Sequence, residues 1–156
     1  MIAETIPGYG AVRIEHLVLD YNGTLAVDGR LLPGVRARLR ALARTLEVHV
    51  LTADTFGTVR RALNHMPCRL VVLGARRQDL AKARYVRRLG AARVASVGNG
   101  RNDRAMLRAA RLGIAVVQKE GAAAASVASA DVVTLSVVDA LDLFLHPLRL
   151  TATLRA

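Results

Sequence analysis

An open, doubly wound α/β sheet with mostly parallel strands is the fold class that three features of this sequence predict. Short apolar runs of strand length, the first being His16 to Asp20, alternate with helix-length stretches that are apolar on one side only. The runs break abruptly into acid, amide, hydroxyl or glycine residues, which is how strands end in turns. The 156 residues, 53% of them hydrophobic, are enough for one domain with a substantial core.

Taken in order, residues 1–15 read as a hairpin: Ile2 to Ile6, a turn over Pro7 to Gly10, then Ala11 to Glu15. His16 to Asp20 is the first core strand, and Tyr21 to Leu32 reads as loop. Pro33-Gly34 opens a helix through about Thr45, with Val35, Leu39 and Leu42 on one face and arginines opposite. Residues 48–51 form the second strand, ending in Thr52-Ala53-Asp54-Thr55, and a helix from about Phe56 to His65 follows. Arg69 to Leu73 is the third strand. Asp79 to Leu89 is the next helix, with Leu80, Ala83, Val86 and Leu89 on its apolar side. Val94 to Val97 is the fourth strand, followed by Gly98-Asn99-Gly100-Arg101-Asn102-Asp103 and a helix from Arg104 to Ala110. Ile114 to Val117 is the fifth strand, Gly121 to Ser129 a small Ala-rich helix, Val132 to Leu135 the last strand, and Val138 to Leu145 the last helix before Pro147. No repeat or linker interrupts this order. The chain reads as one domain over 1–156, with a C-terminal helix and tail over 136–156.

The formal charge of +11 invites a phosphate-bearing partner, whether nucleic acid or small anion. The arginines are dispersed, however, and aromatics are 3% of the chain, a poor supply of stacking platforms. A solvated basic surface is the preferred reading over nucleic-acid binding. No uncharged apolar stretch approaches the roughly 20 residues that a membrane span needs. Cys68 is the only cysteine, so no internal disulfide forms, and Met1-Ile2-Ala3-Glu4 has no secretory signature. The expected compartment is the cytoplasm.

In a doubly wound sheet the carboxyl ends of parallel strands share one edge, where ligands bind. Asp20 and Asn22 follow the first strand, Thr52 and Asp54 the second, and Asn99, Asn102 and Asp103 the fourth, while Lys82 lies on the helix after the third. These side chains can meet in one crevice. Each also has a plain structural reading, as a turn residue, a helix cap or a solvated lysine.

Asp20-Tyr21-Asn22-Gly23-Thr24-Leu25 resembles motif I of the haloacid dehalogenase superfamily, closest to the Asp-Lys-Thr-Gly-Thr phosphorylation motif of P-type ATPases. Leu51-Thr52-Ala53-Asp54 resembles motif II, Lys82 fits motif III, and Gly98-Asn99-Gly100-Arg101-Asn102-Asp103 is similar to motif IV, Gly-Asp-Gly-x-Asn-Asp. Four motifs in order over about residues 16 to 135 imply a Rossmann-like core and a soluble, P-type-ATPase-like phosphatase. The resemblance implies that Asp20 is the nucleophile that forms an aspartyl-phosphate. It implies magnesium held by Asp20, the Asn22 carbonyl and Asp103, with Asn99 at the position of a further ligand. Gly23, Thr24, Thr52, Ala53, Lys82 and Asn102 would bind the phosphoryl group. Lysine at position 82, in a chain whose only other lysine is Lys119, suits a compact charge shared by carboxylate and phosphate.

Two positions depart from the family pattern. Asn22 stands where most phosphatases of the superfamily have the acid/base Asp, and an amide cannot exchange a proton. Asn99 stands where an Asp usually ligates magnesium, which removes one negative charge. Asp54 could act as a substitute base, but capping of the following helix is the preferred reading. The histidines at 16, 49, 65 and 146 show no metal-ligand spacing, and His49 inside a strand reads as packed. The short gap between Leu25 and Pro33 leaves no room for a cap domain. The apolar segment Leu141 to Leu150 is then a candidate contact for a homo-oligomer. The expected function is Mg²⁺-dependent hydrolysis of a phosphomonoester or ATP, without membrane involvement. A catalytically weak phosphate-binding or regulatory relative is the alternative, and a basic nucleic-acid-associated domain comes third.

Overall fold

The computed structural model describes residues 1–53 and 57–156. The predicted hairpin is present as β1 (Ile2–Ile6) paired antiparallel with β2 (Gly10–Ile14). Next come β3 (His16–Asp20), β4 (Ala26–Val27), β5 (Arg30–Leu31), α1 (Val35–Leu42), β6 (Glu47–Thr52), α2 (Thr58–Ala62) and β7 (Arg69–Val72). The second half is α3 (Gln78–Arg88), β8 (Val94–Gly98), α4 (Arg104–Ala109), β9 (Leu112–Val116), α5 (Ala124–Val127), β10 (Val132–Thr134), α6 (Val137–Leu145) and α7 (Pro147–Leu154). A 3₁₀ turn over Arg101–Asp103 leads into α4.

Six strands form one sheet in the order β10-β9-β8-β3-β6-β7, and every pairing in it is parallel. The chain lays β6 and β7 on one side of β3, then returns to lay β8, β9 and β10 on the other. The order therefore reverses between β3 and β8, and a crevice opens beyond their carboxyl ends.

Period-two alternation divides the core between the two faces of this sheet. Leu17 and Leu19 of β3 pack with Val35 and Leu39 of α1 and with Leu141 and Phe144 of α6. Val18 packs on the opposite face with Tyr85 and Val86 of α3 and Met106 of α4. His16 and Asp20 share the face of Val18. The nucleophile candidate is thereby aimed at α3, the helix that carries Lys82.

Two expectations need correction. The stretch Tyr21 to Leu32 is not all loop, because β4 and β5 pair around Asp28-Gly29. Both turn residues have positive φ, 50° and 75°, as a two-residue hairpin turn requires. The C-terminal tail is helical: Pro147 occupies the first turn of α7, where a missing N–H costs nothing, so it opens a second helix instead of ending the fold. The segment Leu141 to Leu150 is largely taken up by the chain itself: Leu141, Phe144 and Leu150 are buried in its own core, and Leu148 alone of its large apolar residues is strongly exposed, at 78%. The predicted cap at Asp54 and helix start at Phe56 lie outside the described residues. No helix among the described residues is long and apolar enough to cross a membrane.

One ion pair fastens α6 to α1. Arg38 Nε and Nη2 donate to the two carboxylate oxygens of Asp142 at 2.7 and 2.8 Å. These bonds hold the Asp142 carboxyl below its ordinary range, against a weaker upward push from burial. A depressed folded-state pKa gives stabilisation that is present above the unfolded value and lost as pH falls through the folded one. Asp142→Asn is expected to cost about 1 kcal/mol in urea unfolding at pH 7, with the cost fading at acid pH. A cost that stays constant down to acid pH contradicts the charged pair.

Candidate active site

β3 ends at Asp20, and α3 passes over the same sheet face, bringing Lys82 down onto it. Lys82 Nζ donates to Asp20 Oδ1 and to Asp103 Oδ1, each at 2.6 Å. The lysine side chain is 2% exposed and Asp103 0%, so the three charges sit out of water. Asp103 is fixed from its other oxygen: Oδ2 accepts the backbone N–H of Asn99 at 3.0 Å and of Gly100 at 2.8 Å. β8 must end in glycine for this to fit. A Cβ on Gly98 would stand 2.5 Å from the Asp103 carboxyl carbon.

Burial, then the charge of Asp103, pushes the Asp20 carboxyl up to about 7 against the opposing pull of Lys82 and the Thr24 hydroxyl. For Lys82, burial disfavours the ammonium most strongly, but the charges and hydrogen bonds of Asp20 and Asp103 together outweigh it and hold its pKa above the ordinary value. With one ammonium between two carboxylates, the cluster has a negative charge to spare. An added cation would relieve it.

The loop after β3 closes around Asp20. The Thr24 hydroxyl lies 3.2 Å from Asp20 Oδ2 and 3.2 Å from Asn99 Oδ1, and its single proton serves one of them at a time. Asn99 Nδ2 donates to the Gly121 carbonyl at 3.0 Å, which turns its amide oxygen toward Thr24. Asn22 is exposed at the mouth. Thr52 is buried at the end of β6, and Ala53 follows it, half-buried.

The backbone N–H groups expected to meet phosphate are engaged within the turn itself. The Gly23 N–H is spent on the Ala26 carbonyl at 2.8 Å, and the Thr24 N–H faces Tyr21 O at 3.3 Å. Gly23 serves instead by lacking a side chain: at φ 79° a Cβ would stand 2.6 Å from the Asn99 amide. Asn102 is also diverted, because its Nδ2 donates to Gln78 Oε1 on α3 at 3.0 Å.

Sequence reasoning missed two residues here. A Cβ on Gly23 would also meet Glu120 Oε2 at 2.6 Å, so this carboxylate, from the loop after β9, leans over the motif I turn beside Asn99. Gln118 Nε2 donates to the carbonyls of Gly23 and Thr24 at 2.9 and 2.7 Å, while its Oε1 accepts the Val137 N–H. No linear spacing links either residue to position 23. His49 is buried, as its place inside a strand predicts, and the β3–β6 register, which linear spacing does not show, brings His16 Nδ1 to 3.2 Å from its Nε2, with Glu47 beside them.

The donor set around Asp20 suits a hard cation. Asp20 offers carboxylate oxygen and Asn99 an amide oxygen, both hard donors, beside a surplus negative charge. Asp103 Oδ2 already accepts two backbone N–H groups and Oδ1 the Lys82 ammonium, a heavier load than the one donor facing each oxygen of Asp20.

Known proteins bear on this geometry. No family model matches the chain. The uncharacterized protein MJ0073 of Methanocaldococcus jannaschii is 44% identical over 63 residues, covering 40% of this chain and 68% of that protein. MJ0072 of the same organism is 46% identical over 39 residues, 25% of this chain and 89% of that one. The chain belongs to their family. A guanylate cyclase of Toxoplasma gondii is 35% identical over 135 residues, but the match covers only 3% of its length.

Among solved structures, the 3-deoxy-D-manno-octulosonate 8-phosphate phosphatase of Moraxella catarrhalis, in complex with magnesium, phosphate and KDO, superposes with a TM-score of 0.72. It is 18% identical and the match covers 85% of this chain and 86% of that one. A putative haloacid dehalogenase family hydrolase from Streptomyces avermitilis gives 0.68 at 21% identity, covering 84% of each chain. A zinc-transporting PIB-type ATPase gives 0.63 at 21% identity, covering 78% of this chain and 20% of that one. The fold is that of the haloacid dehalogenase superfamily, and it recurs as one part of the much longer ATPase.

Removing Lys82 would leave two carboxylates facing each other out of water. Lys82→Met is expected to lose about 3–5 kcal/mol in urea unfolding. Millimolar Mg²⁺ should restore part of this loss by supplying the missing positive charge. A variant as stable as the parent, with or without Mg²⁺, contradicts the buried cluster.

Proposed function

We propose that the chain is a magnesium-dependent phosphohydrolase working through an aspartyl-phosphate on Asp20. The observation that carries this reading is the Asp20–Lys82–Asp103 cluster, placed where the strand order reverses and covered by the motif I loop. The solved phosphatase that holds magnesium and phosphate on the same fold supports it.

Asp20, the Asn22 carbonyl and Asn99 would hold the magnesium ion, with Asp103 behind them and Glu120 adding back the charge that Asn99 lacks. Bound there, the ion would screen the Asp20 carboxylate from the phosphoryl oxygens. Lys82 has three N–H bonds and uses two on carboxylates, leaving one for a phosphoryl oxygen. The Thr52 hydroxyl would take another. Asp20 Oδ then attacks phosphorus, and the bond to the leaving oxygen breaks with its electron pair departing on the leaving group. Water attacks the same phosphorus in the second step, releasing phosphate and restoring Asp20.

Asn22 decides the character of the enzyme. It can orient a leaving group but cannot protonate it, so esters with good leaving groups, ATP among them, are the preferred substrates. Gln78 and Asn102 share a cleft with Arg77, Arg101 and Arg104, three cations against the single carboxylate of Asp79. That cleft suits a substrate with a second anionic group. A cytoplasmic place of work is part of this reading. Asn22 and Asn99 also favour one second reading: a phosphate-binding protein that is slow or silent in turnover.

Phosphate release from para-nitrophenyl phosphate and from ATP tests this reading. Release is expected with Mg²⁺, and should vanish with EDTA or with Asp20→Asn. Asn22→Asp is expected to raise turnover of alkyl phosphates by about 10²-fold or more, as a restored proton donor would. Absence of any Asp20-dependent release, with beryllofluoride still binding, establishes the second reading.

A further inference from the structure

We propose that His16, Glu47 and His49 form a three-ligand site for a divalent transition metal of the zinc class, at the sheet edge opposite the phosphate site. Among the described residues these three side chains each offer one ligand atom, all within 4.8 Å of one another. The inference is independent of the phosphate chemistry.

The spacing of the donor atoms is what a small cation needs. His16 Nδ1 lies 3.2 Å from His49 Nε2 and 3.5 Å from Glu47 Oε2, and His49 Nε2 lies 3.9 Å from the same oxygen. A point equidistant from the corners of that triangle is about 2.1 Å from each, matching Zn–N and Zn–O bonds of about 2.0–2.2 Å. Two imidazoles and one carboxylate are a ligand set that zinc accepts with a fourth position left to water.

The surroundings orient the ligands. His49 Nδ1 lies 2.9 Å from Tyr85 Oη on α3. With the proton on Nδ1 donated to that hydroxyl, Nε2 turns its lone pair toward His16 and Glu47. An outer partner of this kind fixes tautomer and ring plane in metal sites. The two histidines are 12% and 1% exposed at the side chain, while Glu47 is 69% exposed. The site is thus walled on the protein side and open where an ion would enter. Glu47 and His49 border a surface pocket that Cys68 and Arg69 also line.

The site would clamp β3 to β6. These strands carry Asp20 and Thr52 at their other ends, and His16 is about 13 Å of strand away from Asp20. Without a metal, His16 Nδ1–H would simply donate to His49 Nε2, so the alternative is a plain hydrogen bond.

EDTA-stripped protein titrated with Zn²⁺ and Co²⁺ in excess Mg²⁺, added to fill the proposed oxygen site, separates the two. Wild type and Asp20→Asn are both expected to bind one equivalent of Zn²⁺. Binding should weaken at least tenfold in His16→Gln and in Glu47→Gln, and about 10–100-fold in Tyr85→Phe. The Co²⁺ form should show the intense visible bands of a four-coordinate ion without a thiolate charge-transfer band. Circular dichroism checks that each variant is folded, and Glu47→Gln alters a solvent-facing group that should leave the core intact. No stoichiometric Zn²⁺ in wild type, unchanged affinity in folded Glu47→Gln and His16→Gln, or loss of binding in Asp20→Asn would each overturn the site.

Discussion

One ammonium held between two buried carboxylates sets the terms for the rest of this structure. Taking three charges out of water is costly, and their mutual attraction repays it only when geometry and further hydrogen bonds are in place. The chain meets that condition from several directions. Two backbone N–H groups fix Asp103, a glycine at the end of β8 makes room for it, and the Thr24 hydroxyl attends Asp20. Lysine suits the position because a compact charge can lie 2.6 Å from both acids and still have a donor left. The surplus negative charge is relieved only by a proton or a cation, which is what the proposed magnesium site builds on.

A single sheet face links this cluster to the histidine pair. On β3, His16, Val18 and Asp20 point to the α3 side, and on β6 Glu47, His49 and Leu51 do the same. α3 crosses them with Lys82 and Tyr85 one turn apart, the first on Asp20 and the second on His49. Val18, Leu51 and Val86 fill the space between. β3 and α3 thus contribute to both polar clusters, with β6 completing the histidine group and the turn after β8 adding Asp103 to the other.

Features that depend on local pattern were legible in the sequence. Apolar runs ending in Asp20, Thr52 and Asn99 marked both the strands and the edge where chemistry gathers, because a parallel sheet puts all such ends together. Lys82 was legible through its type, as a lysine in an arginine-rich chain. Residues that depend on register or on a loop's path were not legible. His16 and His49 are 33 positions apart and become neighbours only when β3 and β6 pair. Glu120 and Gln118 reach the motif I turn from the loop after β9, where nothing in their spacing points to Gly23. Pro147 was ambiguous locally, since proline both follows helices and opens them. Asp28-Gly29 was a turn signal hidden inside a stretch too short to suggest strands. The backbone amides of Gly23 and Thr24 illustrate a different limit: motif identity suggests donors to phosphate, but the turn itself uses their hydrogen bonds.

Under the proposed function, this pocket would accept a phosphoryl group more readily than it would assist a poor leaving group. Asn22, exposed, has an amide that cannot exchange a proton, and Glu120 brings a carboxylate back beside Asn99. Everything then turns on whether the acyl phosphate forms on Asp20. Acid quenching during turnover of para-nitrophenyl phosphate, borohydride reduction and peptide mass spectrometry read that directly. The expected product is homoserine at position 20. Aspartate intact at position 20 while phosphate is being released would contradict the account.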